Sequence, residues 1–442
     1  MNFPSALHAT FPFREKIHLN DIASNWKERL LYYSQSFPFA AVYDSCESRV
    51  DQYGQYEWLM GVANRHARTF TEWKNLKGNL GKWWMGVLPY ELKTQFEPSV
   101  SSLHEPWINW PEVAFFQPEL LVQVFRNEQT IHLQSHDESL LAEVVSLLQT
   151  SQDSIHWVDL PNLQFDAGYS QQAYQDQILR IKAHIREGDF YEINLTQAFR
   201  AKVNLEQPAA ISQRLKEISP VPFAGYFRFE TLHLICASPE RFLQKKGDQL
   251  CSQPIKGTAP RSPNPTIDFA NQSYLQTSEK EQAENVMIVD LTRHDLQRSS
   301  LPGSVSVPSL FEIQAFPQVF QMVSTVVSRL RPDLSPAEAI AHTFPPGSMT
   351  GAPKVMTMNM IDQFEPEGRG AYAGSLGYFT PEGDFDFNVI IRSLIYHQDE
   401  QKLSYHVGGA ITHDSDPAQE FQETLHKAEA IRQLFAHSAP HP

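Results

Sequence analysis

Residues 170–199 read SQQAYQDQILRIKAHIREGDFYEINLTQAF. In the first half Tyr174, Ile178, Ile181 and Ile185 recur at helical spacing, and Gly188 suits the position just past a helix end, where the backbone turns left-handed. After Gly188 the period changes. Tyr191, Ile193 and Leu195 alternate with Glu192, Asn194 and Thr196, the pattern of a strand. Downstream, PFAGYFRFE (222–230) and HLICA (233–237) read as two strands joined by a short turn. SPERF (238–242) reads as a tight connection, and QLCSQPIKGTAPR (249–261) as a strand running into a Gly/Pro loop. Two more helices are predicted, one over about 278–297 and one opening at Asp416. There Asp416 is a good N-cap, Pro417 occupies the first turn and Gln419 sits as in a capping box. The second continues through an apolar stripe of Phe421, Leu425, Ala428, Ile431 and Phe435. Helices mixed with hairpin-like strands predict an α+β fold with largely antiparallel sheets.

The chain has 442 residues, enough for two or three domains or one large interwoven one. It is 41% hydrophobic and 20% charged, the balance of a globular protein. All eight tryptophans lie between Trp26 and Trp157, and the polar stretch from about Ser151 to Asp166 is the expected boundary. It separates an N-terminal region (1–150) from a second region (166–436). No stretch is apolar enough to span a bilayer, and the N-terminus is broken by Pro and charge before a signal core forms. The three cysteines, Cys46, Cys236 and Cys251, form no CxxC pair and fit idle thiols in a reducing cytoplasm. A net charge of −15 opposes nucleic-acid binding, so any anionic ligand needs cations concentrated at one site.

Four constellations carry chemistry. Glu281 and Glu284 share one helix face, as do Glu420 and Glu423 with Lys427 beyond them. Such faces are either solvated surface or, if they meet, a hard oxygen site suited to Mg²⁺. Lys256, between Pro254 and Gly257, is either a turn lysine or a nucleophile. As a nucleophile its pKa must fall from roughly 10.4 toward neutrality. Glu240 in SPERF is either a surface carboxylate paired with Arg241 or, if it shares a cavity with Lys256, a general acid. The turns holding Gly347, Gly351, Gly408 and Gly409 match no nucleotide loop, but their amides, like an Arg392 fork, can bind a carboxylate.

Seven strings occur in the order found in the chorismate-utilising enzymes. They are GDFYEINLTQAF (188–199), SPERF, PIKGTAPR (254–261), AENVMIVDLTRHDLQR (283–298), FPPGSMTGAPK (344–354), GYFTPEGDFDFNVIIRSL (377–394) and VGGAITHDSDPAQEFQETLHKA (407–428). The resemblance covers about 170–435 strongly and the first part weakly, through GKWWMGVLPYELKTQFE (81–97). It implies a four-layer α/β/β/α fold with two orthogonally packed sheets and an Mg²⁺-dependent chorismate site. Glu284 and Glu423 match the family's metal ligands, and Glu281 and Glu420 their neighbours. Arg392 and Tyr372 match residues that hold one substrate carboxylate, and Gly408, in the GG loop with Gly409, holds another. Gly257, Thr258 and Ser348 match pocket-lining positions, and Lys427 lies on the substrate side of its helix.

Within that family the resemblance points to the aminodeoxychorismate branch, component I. Isochorismate and salicylate synthases carry a water-activating lysine in the motif around Glu192, and none stands here. Anthranilate synthases, the alternative, have Ala where this chain has Lys256. The implied reaction, of the transferase class, makes 4-amino-4-deoxychorismate for p-aminobenzoate and folate. Its ammonia is expected from a separate glutamine amidotransferase subunit, because the resemblance uses nearly the whole chain. Three departures stand out: Gln321 replaces a His tied to elimination, Ala410 replaces a Gly, and His294 replaces an Asn. Ser45, after FAAVYD, could match the serine of a tryptophan site that some relatives carry in this region.

Overall fold

The computed structural model describes residues 11–48, 50–150 and 155–436. The first ten residues, and the start of the expected boundary at 151–154, lie outside the described residues. The helix and strand that open the second region are where periodicity put them. The helix spans Gln171–Glu187, starts at the Ser170 cap and ends on Gly188 at φ 87°. The strand spans Glu192–Lys202.

Two large antiparallel sheets make the body. The twelve-stranded sheet runs, edge to edge, through Phe13–His18, Thr130–Ser135, Leu120–Phe125, Tyr56–Ala63, Phe39–Asp44, Phe223–Phe229, Leu232–Ser238, Ser393–His397, Lys402–Ile411, Glu192–Lys202 and Gly351–Ala352, with Asp166–Ala167 beside Glu192–Lys202. The ten-stranded sheet runs through Ile255–Pro260, Val319–Arg329, Gln249–Gln253, Arg241–Lys246, Phe385–Asn388, Ser375–Phe379, Trp84–Leu88, Ala114–Phe116 and Thr69–Phe70, with Ser306–Ala315 beside Val319–Arg329. Both sheets take strands from both sides of residue 150, so the two sequence regions are woven into common sheets.

The largest core cluster joins the sheets, with Leu59, Phe227, Leu234 and Ile395 from one meeting Trp84, Leu243, Phe379 and Phe387 from the other. A second cluster packs helices such as Trp26–Ser34 and Glu138–Gln149 on the outer face of the twelve-stranded sheet. The helix Glu279–Gln297 covers the ten-stranded sheet through Val289 and Leu296. Helix, sheet, sheet and helix thus stack in that order.

Three local expectations are corrected. PIKGTAP is a strand, Ile255–Pro260, paired with Val319–Arg329, and not a loop; it tolerates its Gly because the ladder shifts register between Ile255 and Thr258. The last helix is two, Pro417–Lys427 and Glu429–Phe435, with Ala428 between them. Asp416 caps the first by accepting from the Ala418 and Gln419 amides, without a reciprocal bond from Gln419 among the described contacts.

Candidate active site

Glu240 occupies the step between Leu232–Ser238 in one sheet and Arg241–Lys246 in the other. The SPE turn is therefore where the chain changes sheets, and its carboxylate lands in the seam. Ser348 Oγ donates to Glu240 Oε1 at 2.6 Å. Burial nevertheless dominates and raises the Glu240 pKa to about 7, against the smaller pull of Ser348, Lys256 and Arg392. The seam thus holds a carboxyl that is protonated in a large fraction of molecules at neutral pH.

Lys256 reaches the same seam from the edge of the ten-stranded sheet. It lies inside the register shift, beside Gly257 at φ 93°. Asn285 on the helix Glu279–Gln297 holds the backbone there, donating to the carbonyls of Met322 and Lys256 at 3.3 and 3.5 Å. Lys256 Nζ donates to Glu192 Oε1 at 2.7 Å, tying one sheet edge to the other. Burial alone would lower the Lys256 pKa, but the charge and hydrogen bond of Glu192, with Glu284 and Glu240, keep it above its ordinary value. The expectation that Lys256 is already depressed toward neutrality is therefore corrected. In this state it is an ammonium, because three carboxylates surround it.

The two acidic helix faces meet. Glu284 is surrounded by Lys256, Glu281, Lys280 and Glu192, and burial raises its pKa to about 7. Burial also raises Glu281, whose neighbours include Glu423 across the helix gap. Glu420 is raised by burial and by Glu423. Glu423 alone is lowered, because Lys427 sits 2.7 Å away. Lys427 also donates to the Gly408 carbonyl at 2.9 Å. The glycines make room for this acid cluster: a Cβ on Gly257 would stand 2.9 Å from Glu281 Oε2, and one on Gly409 would stand 3.3 Å from Glu420 Oε2.

Four carboxylates with too few cations suit a divalent ion with hard oxygen preference. Among the described residues no three of the four hold donor atoms within 4.8 Å of one another; the trio that does is His184, Glu187 and Asp189, at the far end of Gln171–Glu187. A spread donor set fits Mg²⁺, which keeps waters and takes substrate oxygens, better than it fits an all-protein cage. Glu281, Glu284, Glu420 and Glu423 are the residues that would hold it.

The remaining predicted residues are distributed around the seam. Arg392 has φ 51°, a left-handed backbone that non-glycine residues seldom adopt outside functional turns. Among the described residues its guanidinium makes no hydrogen bond or ion pair, so the fork is free for a carboxylate. Tyr372 is buried, stacks on His406 at 5.0 Å and has its pKa raised by burial. Gly408 lies against the Leu195 carbonyl, and Thr258 lies exposed at the rim. Ser348 does not face the seam with a free hydroxyl, since it serves Glu240. Gln321 is buried opposite Thr258 in the ladder, with its Oε1 unpartnered.

Ser45 is not brought to this site. It lines a separate cavity of about 50 Å³ with Tyr43, Tyr56, Arg126, Phe223 and Tyr378, and its Oγ has no partner. That volume holds only a few waters. A tryptophan would enter only if these side chains moved.

Three buried polar residues beside the seam escaped the sequence reading. Glu192 and Asn194 were assigned to the polar face of an ordinary strand, yet they are 1% and 7% exposed. Arg369 was also missed. It pairs with Glu365 at 2.6 and 2.8 Å and donates to the carbonyls of Met349 and Asn194 at 2.7 and 3.0 Å. It therefore clamps the segments that carry Ser348 and Glu192.

The seam between the two antiparallel sheets thus brings together an acidic cluster, a lysine and, among the described residues, an arginine with no hydrogen-bond partner. Residues 27–433 match the family described as chorismate binding enzyme, and the chain belongs to that family. It is 35% identical over 353 residues to aminodeoxychorismate synthase component 1 of Klebsiella aerogenes, covering 78% of this chain and 76% of that one. It is 35% identical over 367 residues to the chloroplastic aminodeoxychorismate synthase of Arabidopsis thaliana, covering 78% of this chain but spanning only 39% of that protein's length. Among solved structures, anthranilate synthase component I from Streptococcus pneumoniae TIGR4 superposes with a TM-score of 0.73 at 26% identity, over 89% of this chain and 90% of that one.

Proposed function

We propose that this chain is the chorismate-aminating component of an aminodeoxychorismate synthase. It converts chorismate and ammonia to 4-amino-4-deoxychorismate, the precursor of p-aminobenzoate and folate. The observation that carries the reading is a largely enclosed lysine, Lys256, its side chain 11% exposed, set in one seam with the near-neutral carboxyl of Glu240. Anthranilate chemistry needs no nucleophile at this position.

Arg392 and Tyr372 take one carboxylate of chorismate. Glu281, Glu284, Glu420 and Glu423 would hold Mg²⁺, which would supply positive charge for the other carboxylate. Lys427 stays on Glu423 and the Gly408 carbonyl and limits the acid cluster's net charge. Lys256 gives a proton to Glu192, 2.7 Å away, and its freed amine forms a bond to C2 of the ring. Both conjugated ring double bonds shift, C1=C2 to C1=C6 and C5=C6 to C4=C5, and the C4–O bond breaks. Glu240 gives its proton to the departing hydroxyl, which leaves as water. Ammonia then forms a bond to C4, both double bonds shift back, and the C2–N bond breaks with its electron pair returning to Lys256. The lysine regains its proton from Glu192, and Glu240 is reprotonated from solvent. Two such displacements put nitrogen at C4, whereas direct attack of ammonia at C2 gives the ortho product.

Three further readings belong to the proposal. The ammonia comes from glutamine on a separate amidotransferase subunit, as the name component 1 of the Klebsiella aerogenes relative suggests. The site is Mg²⁺-dependent, as the uncompensated acids favour. The three cysteines are free, which fits work in the reducing cytoplasm. No described helix is long and apolar enough to cross a membrane. Intact-protein mass spectrometry with chorismate and Mg²⁺, without ammonia, tests the covalent route. An adduct located on Lys256 by peptide mapping supports it, and turnover with an unmodified lysine throughout contradicts it.

A further inference from the structure

The strand Glu192–Lys202 carries three buried side-chain oxygens with no donor, on Glu192, Asn194 and Gln197, and the first two lie on one face of the strand. Glu192 gives Oε1 to Lys256, and its Oε2 has no partner. Asn194 gives its Nδ2 hydrogen to the Ser348 carbonyl at 3.2 Å, and its Oδ1 has no partner. A carbonyl only accepts, so this bond fixes the amide nitrogen toward Ser348 and turns the oxygen away. The two residues are two apart on one strand, so their side chains leave the same face, with Cα atoms about 7 Å apart. Buried polar atoms are almost always paired, and two orphans side by side in a reactive seam ask for a ligand that donates.

We propose that Glu192 Oε2 and Asn194 Oδ1 form the binding site for the nitrogen co-substrate, free ammonia. This rests on the function proposed above and deepens it. The chemistry selects the ligand. Chorismate brings carboxylates and an ether oxygen, which only accept, and one hydroxyl. Ammonia has three N–H donors and one lone pair. Two N–H bonds to the strand leave the lone pair free for carbon. Lys256 and Glu192 share the strand's end of the seam, so the bound ammonia stands beside the lysine it replaces. No proton acceptor is needed at the moment of attack, because nitrogen becomes the ammonium of the product while the lysine recovers its own electron pair.

The test uses the full chain with Mg²⁺, chorismate and ammonium chloride in place of glutamine, in wild type, Glu192→Gln and Asn194→Ala. The near-isosteric Glu192→Gln keeps an oxygen for Lys256 and turns an NH₂ toward the site. Michaelis constants for ammonium and chorismate are measured separately, and thermal melting checks folding. Each variant is expected to raise the ammonium constant by about tenfold, the scale of one lost hydrogen bond to a polar or charged partner. The chorismate constant is expected to stay within about twofold. The chorismate adduct on Lys256, formed before ammonia enters, is expected to accumulate in Asn194→Ala, whereas Glu192→Gln, which cannot take the lysine proton, is expected to form that adduct more slowly. An unchanged ammonium constant overturns the site, whether or not the chorismate constant rises; a rise in the latter alone assigns these oxygens to the chorismate hydroxyl. A wild-type protein that makes no aminated product sinks the proposed function itself, and the site with it.

Discussion

At the scale of single residues, Lys256 and Glu240 show how one seam sets opposite demands. Lys256 is held charged by carboxylates at rest, so in the proposed route its nucleophilic form arises only once it passes a proton to Glu192. Lys256→Ala removes the only covalent anchor in the proposed route. It is expected to abolish the adduct by mass spectrometry and to lower amination by at least about 10³-fold; rates near wild type would exclude the nucleophile. Glu240 has a pKa of about 7 because it is buried. As an acid it works while protonated, so kcat/KM should fall as pH rises through about 7, measured at saturating Mg²⁺ so that Glu284 stays ionised. Glu240→Gln should lower the rate by about 10²–10⁴-fold and remove that limb. A variant that keeps the limb shifts the acid role elsewhere. Not all of this was readable beforehand. Lys256 and Glu240 stood out because Gly and Pro flank them or a sheet turn holds them. Glu192 did not, because alternation in a strand buried on both faces looks the same as alternation at a surface.

At the scale of elements, the acidic helices were visible from spacing alone, since three-residue separation fixes a common face. That the faces meet was not visible, because it depends on where two sheets place the helices Glu279–Gln297 and Pro417–Lys427, far apart in the chain. The strand Ile255–Pro260 was missed for a related reason. Gly and Pro predict a loop locally, but an edge strand with a shifted register accepts both. Gly257 is the hinge of that element, with φ 93° and no room for a side chain beside Glu281. Gly257→Ala is expected to destabilise the fold by about 1–2 kcal/mol for the left-handed backbone. It should also displace Glu281, raising the Mg²⁺ concentration for half-maximal activity several-fold. Denaturant unfolding together with a Mg²⁺ titration checks both, and an unchanged titration would separate Gly257 from the metal face.

At the scale of the whole molecule, the interleaving of both sheets makes the N-terminal region part of the catalytic body. Arg241, next to Glu240, is fully buried between Asp51 of the N-terminal region at 2.8 Å and Asp386 at 2.9 Å. Arg241→Ala leaves buried Asp386 without its cation and Asp51 with Arg126 alone, and is expected to cost about 3–5 kcal/mol, read as a lower midpoint in urea. A loss under about 1 kcal/mol would show that the two regions hold together without this bridge. The same architecture also gives the reason for the seam: chemistry sits where the chain steps between sheets and two edges face each other. The central claim is that this seam directs nitrogen to C4 and not to C2. Chromatography of the product from purified protein, chorismate, Mg²⁺ and ammonium, run with and without an aminodeoxychorismate lyase, tests it most directly. The account predicts 4-amino-4-deoxychorismate, converted to p-aminobenzoate when the lyase is added; anthranilate in both samples would contradict it.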